Sequence, residues 1–452
     1  MIIFFAKNYA KINLVIRMIC GKCKNCLSCK FQNEKSENNL EIFEKNFSRE
    51  NDAAIAIDIG TTNIVFELFD LKNGATLAKF SCENSQRAFG ADVISRITAS
   101  KTNAAELNSY VISDLTRGVE LLRRHCARKI SQIAIVGNTV MLHLLQNFSC
   151  ETLGVFPFSP VSVEMSRTTI CGTDAVILPC VSAFIGADVV AGIFACEEKF
   201  CDEYKLFIDI GTNAEVVLFS RSEENFRDVD FFAPTGQNRQ REKIFAVSAA
   251  AGTAFEGGKI CGSQVISHCA ELLRNKKLDR TGLLRDEKNF SHEKIQNEIF
   301  LDEKNFSREK IQNEIFQNEK NFSHEKIQNE KNQNENFSSQ KFFSQADVRE
   351  LQLAKSAVRA AIEIFEENIK EVFIAGLFGY KIDVDDAVEI GLFPASFKGK
   401  TTFVGNAALD GAKKFLRQPQ ENFFSFAKNF CEINLALHPK FDALFIKHMD
   451  FF

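Results

Sequence analysis

The sequence predicts an α/β protein of two lobes facing across a cleft. The apolar runs AAIAIDI (53–59) and IVFELFD (64–70) flank a Gly-Thr-Thr-Asn bend and read as a β-hairpin. KLFIDI (205–210) and EVVLFS (215–220) repeat that layout around Gly-Thr-Asn-Ala. Each hairpin is followed by alternating strand and helix patterns, giving two βββα-type halves. A length of 452 residues suits two or three domains, and 45% hydrophobic with 25% charged residues excludes a disordered or membrane class. Lys+Arg 55 against Asp+Glu 59 leaves a net charge of −4, which offers no electrostatic footprint for nucleic acid or an anionic membrane, and neither is expected as a partner. Phe at 45 and Trp at 0 is a bias that A/T-rich coding explains as well as function does.

From the N-terminus, residues 1–19 are largely apolar, but Lys7, Lys11 and Arg17 interrupt them. Neither a secretory signal nor a membrane span is expected, and Met18 is a candidate start. Four of the 14 cysteines (Cys20, Cys23, Cys26, Cys29) cluster and the rest are scattered, a pattern that fits a reducing cytoplasm. The predicted organisation is a Cys-rich segment and linker over 1–50, a first lobe over 51–203 and a second over 204–452. In the first lobe a helical stretch around 104–129 leads to a buried strand, QIAIV (132–136), then Gly-Asn-Thr and an apolar helix. In the second, apolar spacing predicts a helix over 346–369, with Asp347 and Glu350 offering a capping box. EVFIA (371–375) and TTFVG (401–405) are strands, and AALDGAKKFL is a helix. Within 286–345 lie three tandem 16-residue repeats beginning EKNFS, at 287, 303 and 319. They read as a solvated, poorly ordered insert, or else as a charged helical arm for a partner.

The two hairpin bends carry the chemistry. A Gly at the bend lets backbone N–H groups approach phosphate oxygens, and a following Thr adds a hydroxyl. An Asp ending the first strand can hold Mg²⁺, usually through its waters. Asp58-Ile59-Gly60-Thr61-Thr62-Asn63 supplies one such set and Asp209-Ile210-Gly211-Thr212-Asn213 a second. With a third element, Ala375-Gly376-Leu377-Phe378-Gly379, they predict a clamp on the β- and γ-phosphates of ATP.

These paired hairpins with a later Gly element resemble the superfamily of actin, sugar kinases and heat-shock ATPases, with its two-lobed actin/ribonuclease-H-like fold. QRAFGADVISRI (86–97), VGNTVMLHLL (136–145), SAFIGADVVAGI (182–193), RELQLAKSAVRAAIE (349–363) and VGNAALDGAKKFL (404–416) are more specific. Together they resemble the ATPase domain of the reductive activators of corrinoid proteins, from residue 53 to the end less the insert. The resemblance implies ATP-dependent reduction of cobalt(II) corrinoid to cobalt(I), on the carrier protein of a methyltransferase system, with a [2Fe–2S] domain at the N-terminus and a homodimer. It makes Asp58 and Asp209 the Mg²⁺-facing carboxylates and Gly60, Thr61, Gly211 and Thr212 phosphate contacts. Thr62, Asn63 and Asn213 belong to the same turns; Glu256 becomes a ribose contact and Gly376 a neighbour of the adenosine. Asn138 or Glu215 would orient the attacking water.

The chain departs from the family pattern at Leu377, where a second Gly is usual and a Cβ would crowd adenine. Cys261-Gly262-Ser263-Gln264 stands where a further Gly is usual, and Ser267 where an Asp is usual. A complete ferredoxin domain and a middle domain do not fit ahead of residue 53. What remains there is Cys20, Cys23, Cys26 and Cys29, in a run that suits an iron–sulfur cluster, structural zinc, or a remnant without metal. His143 is expected to be packed, and His125, among Arg123, Arg124 and Arg128, to lie on a solvated face. The scattered cysteines are expected to be buried small hydrophobes. Two other functions fit the same fold: a small-molecule kinase and a non-catalytic nucleotide-binding regulator.

Overall fold

The structure is a computed structural model that describes residues 39–43, 52–199, 201–211, 213–220, 243–249, 262–285, 344–365, 369–376, 382–418 and 420–451. The chain divides into two compact units, residues 1–283 with 344–452, and residues 284–343, which contain the repeats. Both lobes belong to the first unit.

The first sheet opens with β1 (Leu40–Ile42) and the hairpin β2 (Ala53–Ile59) and β3 (Asn63–Asp70), extended by β4 (Thr76–Glu83). Helix α1 (Val93–Arg124) follows, then β5 (Ile130–Gly137), α2 (Thr139–Leu145), β6 (Ser166–Ile170), β7 (Thr173–Ile177) and α3 (Ala187–Ala195). The strand order is β1-β4-β3-β2-β5-β7-β6. β2, β3 and β4 form an antiparallel meander, and β5 joins β2 in parallel. β2 is buried almost throughout, as its unbroken apolar run requires of a central strand.

The second sheet repeats the plan. β8 (Lys205–Ile210), β9 (Ala214–Ser220) and β10 (Lys243–Ala249) form the meander. After α4 (Gly262–Arg274) and α5 (Gln345–Ile364), β11 (Glu371–Ala375) pairs with β8 in parallel. Past α6 (Val384–Glu389), β12 (Thr401–Gly405) extends the sheet beyond β11. Helices α7 (Ala407–Arg417) and α8 (Gln420–Ala427) lead to β13 (Phe430–Glu432), which closes the β10 edge, and α9 (Phe441–Lys447) follows.

The 203/204 boundary separates the two sheets but not the packing. α7 lies on α3, β2 and β5, so the chain returns to the first lobe after β12. Phe207 of β8 touches α3 at Gly192, so the helix pair sits between the sheets and one core runs through it. Lys413 of α7 pairs with buried Glu67 of β3, while Lys414 pairs with Glu197 at 2.9 Å and donates to the Phe194 carbonyl. Phe194, Phe415, Phe423 and Phe426 stack edge to face or tilted around α3, α7 and α8. Part of the unusual Phe content therefore fills this junction.

Several local expectations are corrected. The first long helix starts at Val93, not near 104, under an Asp92–Ser95 capping box; Asn103 breaks its helical dihedrals, so only the second stretch reads as periodic. α5 is capped by Ser344 with Asp347 rather than by Asp347 with Glu350, and ends at Ile364. Arg128 is not on a solvated face: it is buried and paired with buried Asp70, whose other oxygen accepts the Lys72 and Asn73 amides. His125 is exposed. Replacing Arg128 by Met is expected to cost about 3 kcal/mol, read as a lower denaturation midpoint, because it strands the Asp70 charge.

His143 is 1% exposed; its Nδ1 bonds the Thr139 carbonyl and its Nε2 accepts the Val161 amide, and burial lowers its pKa. Cys82, Cys150, Cys196 and Cys269 are buried, whereas Cys126, Cys171, Cys180, Cys201 and Cys431 are half-buried, so burial describes only part of that set. Among the described residues, no helix is long and apolar enough to cross a membrane.

Candidate functional site

Asp58 and Asp209 occupy equivalent places, each the penultimate residue of the first strand in its meander. Asp58 stands between Val65 of β3 and Val136 of β5; Asp209 stands between Glu215 of β9 and Ala375 of β11. Both strands run toward the interlobe junction, and there the Asp58 carboxylate lies close enough for its charge to act on Asp209. Each is half-buried, keeping part of its surface open while protein atoms crowd it on most sides. Desolvation pushes Asp58 up to about 6, and desolvation with the Asp58 charge pushes Asp209 up to about 7.

A third carboxylate joins them. Asp188, in the first turn of α3, is pushed up to about 8, first by desolvation and then by the charges of Asp58 and Asp209. Its Oδ1 accepts its neighbour's amide, Val189 N–H, at 2.8 Å. The SAFIGADVVAGI stretch stood out in sequence, yet nothing in it assigned Asp188 a role. The available signal was an acid just inside a helix start after Gly, where N–H groups favour negative charge.

The first turn is held from behind. Thr61 is 4% exposed, and its carbonyl accepts a bond from the guanidinium of Arg96, a fully buried residue of α1. Arg96 also donates to the Gly90 carbonyl and approaches the Met141 sulfur. Buried Asn84 donates its side-chain amide to the Gly60 carbonyl and its backbone N–H to the Thr62 carbonyl, both at 2.9 Å. Asn63 is the first residue of β3. Asn138 caps α2 through the Met141 amide and donates to the Thr61 hydroxyl at 3.3 Å. Its amide thus ties the start of α2 to the first turn, with one N–H of the amide left over among the described residues.

In the second turn the Gly211 N–H bonds the Asn213 carbonyl at 2.8 Å, and among the described residues a Cβ at Gly211 would meet only the Asn213 carbonyl oxygen, 3.8 Å away. Glu215 lies directly across β8–β9 from Asp209, on the same face of the sheet. Gly376 has φ +89°, and a Cβ there would fall 2.5 Å from both Asp209 Oδ1 and the Ile210 carbonyl. Its missing side chain thus makes room for Asp209 itself. Asn406, at the start of α7, donates Nδ2 to Asp58 Oδ2 at 2.9 Å. Thr212, Glu256, Leu377, Cys261, the Gln264 side chain and the cluster Cys20, Cys23, Cys26 and Cys29 lie outside the described residues.

Among the described residues, no group of three or more His, Cys, Asp or Glu side chains is arranged to hold a metal ion by itself. The donor chemistry nonetheless suits Mg²⁺. Desolvation and neighbouring carboxylates, not a nearby cation, dominate the fields on Asp188 and Asp209. A hydrated divalent cation would supply the missing positive charge, with Asp58, Asp188 and Asp209 as the residues to hold its waters.

The chain is similar to known proteins along much of its length. The RACo middle region matches residues 53–199, and the C-terminal domain of RACo, the ASKHA domain, matches residues 291–452. The middle region falls on the first sheet and its helices, not on a segment ahead of residue 53. The chain is 27% identical over 431 residues to the corrinoid activation enzyme RamQ of Eubacterium limosum, covering 86% of this chain and 68% of that protein. It is 24% identical over 233 residues to the [Co(II) methylated amine-specific corrinoid protein] reductase of Methanosarcina barkeri, covering 47% of this chain and 39% of that one. A solved reductive activator for corrinoid, iron–sulfur protein superposes with a TM-score of 0.66 at 23% identity, over 90% of this chain and 67% of the other. That likeness establishes the two-lobed ASKHA fold. With both regions matched over more than half of its length, the chain belongs to the RACo family, the reductive activators of corrinoid proteins.

Proposed function

We propose that this chain is an ATP-dependent reductive activator of corrinoid proteins. The observation that carries the reading is the convergence of Asp58, Asp188 and Asp209 in one site between the two Asp-Ile-Gly-Thr hairpins. The names of RamQ and of the corrinoid protein reductase support the corrinoid partner.

In this reading Asp58 and Asp209 would hold the waters of Mg²⁺, which would supply charge neutralisation at the phosphates. Gly60, Thr61, Thr62 and Asn63 line one side of the phosphates, and Gly211, Thr212 and Asn213 the other. Phosphoryl transfer to water is catalysed chiefly by positioning and charge. Asp188, at the start of the interlobe helix, orients the attacking water, with Asn138 beside the first turn or Glu215 across the hairpin from Asp209 as its partner. Glu256 remains the ribose contact, with Gly376 on the adenosine side. Closure on the triphosphate draws the lobes together, and that motion is what drives the electron uphill. Cys20, Cys23, Cys26 and Cys29 are the ligand candidates for the iron–sulfur cluster, which when bound supplies a single electron. The partner is the corrinoid carrier of a methyltransferase system, met by a homodimer in the cytoplasm.

The test is anaerobic purification with iron and labile-sulfide analysis, followed by spectra of a cobalt(II) corrinoid protein mixed with this chain, a low-potential reductant, and ATP. Cobalt(I) absorption that appears only with ATP is expected. An iron-free protein that binds ATP and yields no cobalt(I) overturns the reading in favour of a nucleotide-binding regulator.

A further inference from the structure

We infer that Asn406 is a positioning residue for the metal–nucleotide site, holding one oxygen of Asp58 from outside the first hairpin so that the other faces the ligand. The inference rests on the reading of Asp58 as an Mg²⁺-facing carboxylate.

The amide of Asn406 has only one workable orientation. Its Oδ1 accepts the Leu409 N–H at 3.0 Å and so caps α7. An N–H can bond only to the oxygen, so the NH₂ end is directed to Asp58 Oδ2, 2.9 Å away. Among the described residues this is the one side-chain hydrogen bond to Asp58. A bond to a carboxylate is stronger than one between neutral groups, and it selects a single rotamer of a crowded side chain.

The donor is also held still. Asn406 follows β12 of the second sheet directly, while α7, which it begins, is tied to the first lobe through Lys413 to Glu67 and Lys414 to Glu197. α7 in turn packs on α3, whose first turn carries Asp188. The orientation of Asp58 is therefore set by the same helix pair that brings in the third carboxylate. VGNAALDGAKKFL was legible as a strand-to-helix passage; that its Asn reaches back to Asp58 was not.

Asn406→Ser separates the two tasks. Ser is as good an N-cap as Asn, but its hydroxyl is too short to replace the amide at Asp58. Mg²⁺ titrations of ATP binding by the full chain, together with ATP binding in EDTA and thermal unfolding, provide the readouts. Asn406→Ser is expected to raise the Mg²⁺ concentration required by about tenfold, as loss of a charge-assisted bond implies, with metal-free ATP affinity unchanged and a midpoint lowered only by the lost bond to Asp58. Asn406→Ala should show the same Mg²⁺ defect and a still lower midpoint, from the further loss of the cap. An unchanged Mg²⁺ requirement in Asn406→Ser overturns the inference. So does a parallel loss of metal-free binding and stability, which would assign Asn406 to the seat of α7 alone. A wild-type chain that binds no Mg–ATP would instead defeat the functional reading.

Discussion

Asp209→Asn is expected to abolish Mg–ATP binding while making the metal-free protein more stable. Asp58→Asn should act in the same direction, since the carbonyl of the introduced amide can still accept from Asn406. Neutralising one member of the cluster removes a charge that the hydrated metal needs, and a loss of about a hundredfold or more in affinity follows. The gain in stability comes from the cost of the site. An ordinary carboxyl titrates near 3.9, whereas Asp58 and Asp209 are pushed up to about 6 and about 7, and Asp188 higher. Between those limits the folded chain binds more protons than the unfolded one, so its stability falls as pH rises from about 4 through about 7. These groups contribute no penalty at the acid end and their full penalty above the folded pKa values. Thermal unfolding of the metal-free wild type should therefore show a midpoint that declines from about pH 5 to about pH 8. Asp209→Asn should flatten that decline, and its midpoint at the alkaline end should be the higher of the two. Mg–ATP should stabilise the wild type most at that end and release protons on binding. Equal Mg–ATP affinity in wild type and both Asn variants would refute the site; a pH-independent midpoint would refute the cluster's energetics.

What made the site partly legible in sequence is that each hairpin is local. Asp, Gly and Thr lie within a few residues of one another, bounded by apolar runs, so strand period and turn chemistry point to the same structure. The duplication of the meander could be read for the same reason. Asp188 and Asn406 were not legible as site residues because each reaches the site from a helix start remote in sequence. Nothing near them in the chain distinguishes a capping or first-turn residue that meets a ligand from one that meets solvent. Gly376 was legible as a close approach, but its partner was not: only the parallel register of β11 on β8, Ala375 opposite Asp209, places it against that carboxylate. Arg128 was misread because a loop cation beside two exposed arginines looks solvated until β3 places Asp70 beneath it. Arg96 was hidden for a similar reason, its guanidinium turned inward to backbone carbonyls at Gly90 and Thr61. Buried polar groups with long-range partners leave no periodic trace.

The other large effect is expected at Gly411, where α7 crosses α3. A Cβ there would fall 1.9 Å from the Ala191 carbonyl oxygen and 2.4 Å from its carbon. The obstacle is helix backbone, which cannot swing aside as the end of a side chain can. α7 must therefore tilt or withdraw from α3, in a junction that Phe194, Phe415 and Phe423 already fill. Overpacking ordinarily costs about 1–3 kcal/mol, and a clash with main chain on both sides belongs at or above the top of that range. Gly411→Ala should lower the denaturation midpoint accordingly, and more than Asn406→Ala does. The displacement also has a functional direction. Asp188 rides on α3 and Asn406 caps α7, so separating the helices moves one carboxylate and the support of another away from Asp209. Gly411→Ala should consequently weaken Mg–ATP binding at temperatures where the chain remains folded. Ala412→Gly on the same helix loosens packing without adding a clash, and should destabilise the fold with little change in Mg–ATP affinity. If Gly411→Ala lost stability yet bound Mg–ATP with wild-type affinity, the helix pair would be a packing element only, and the alignment of the three carboxylates would have to come from the sheets alone.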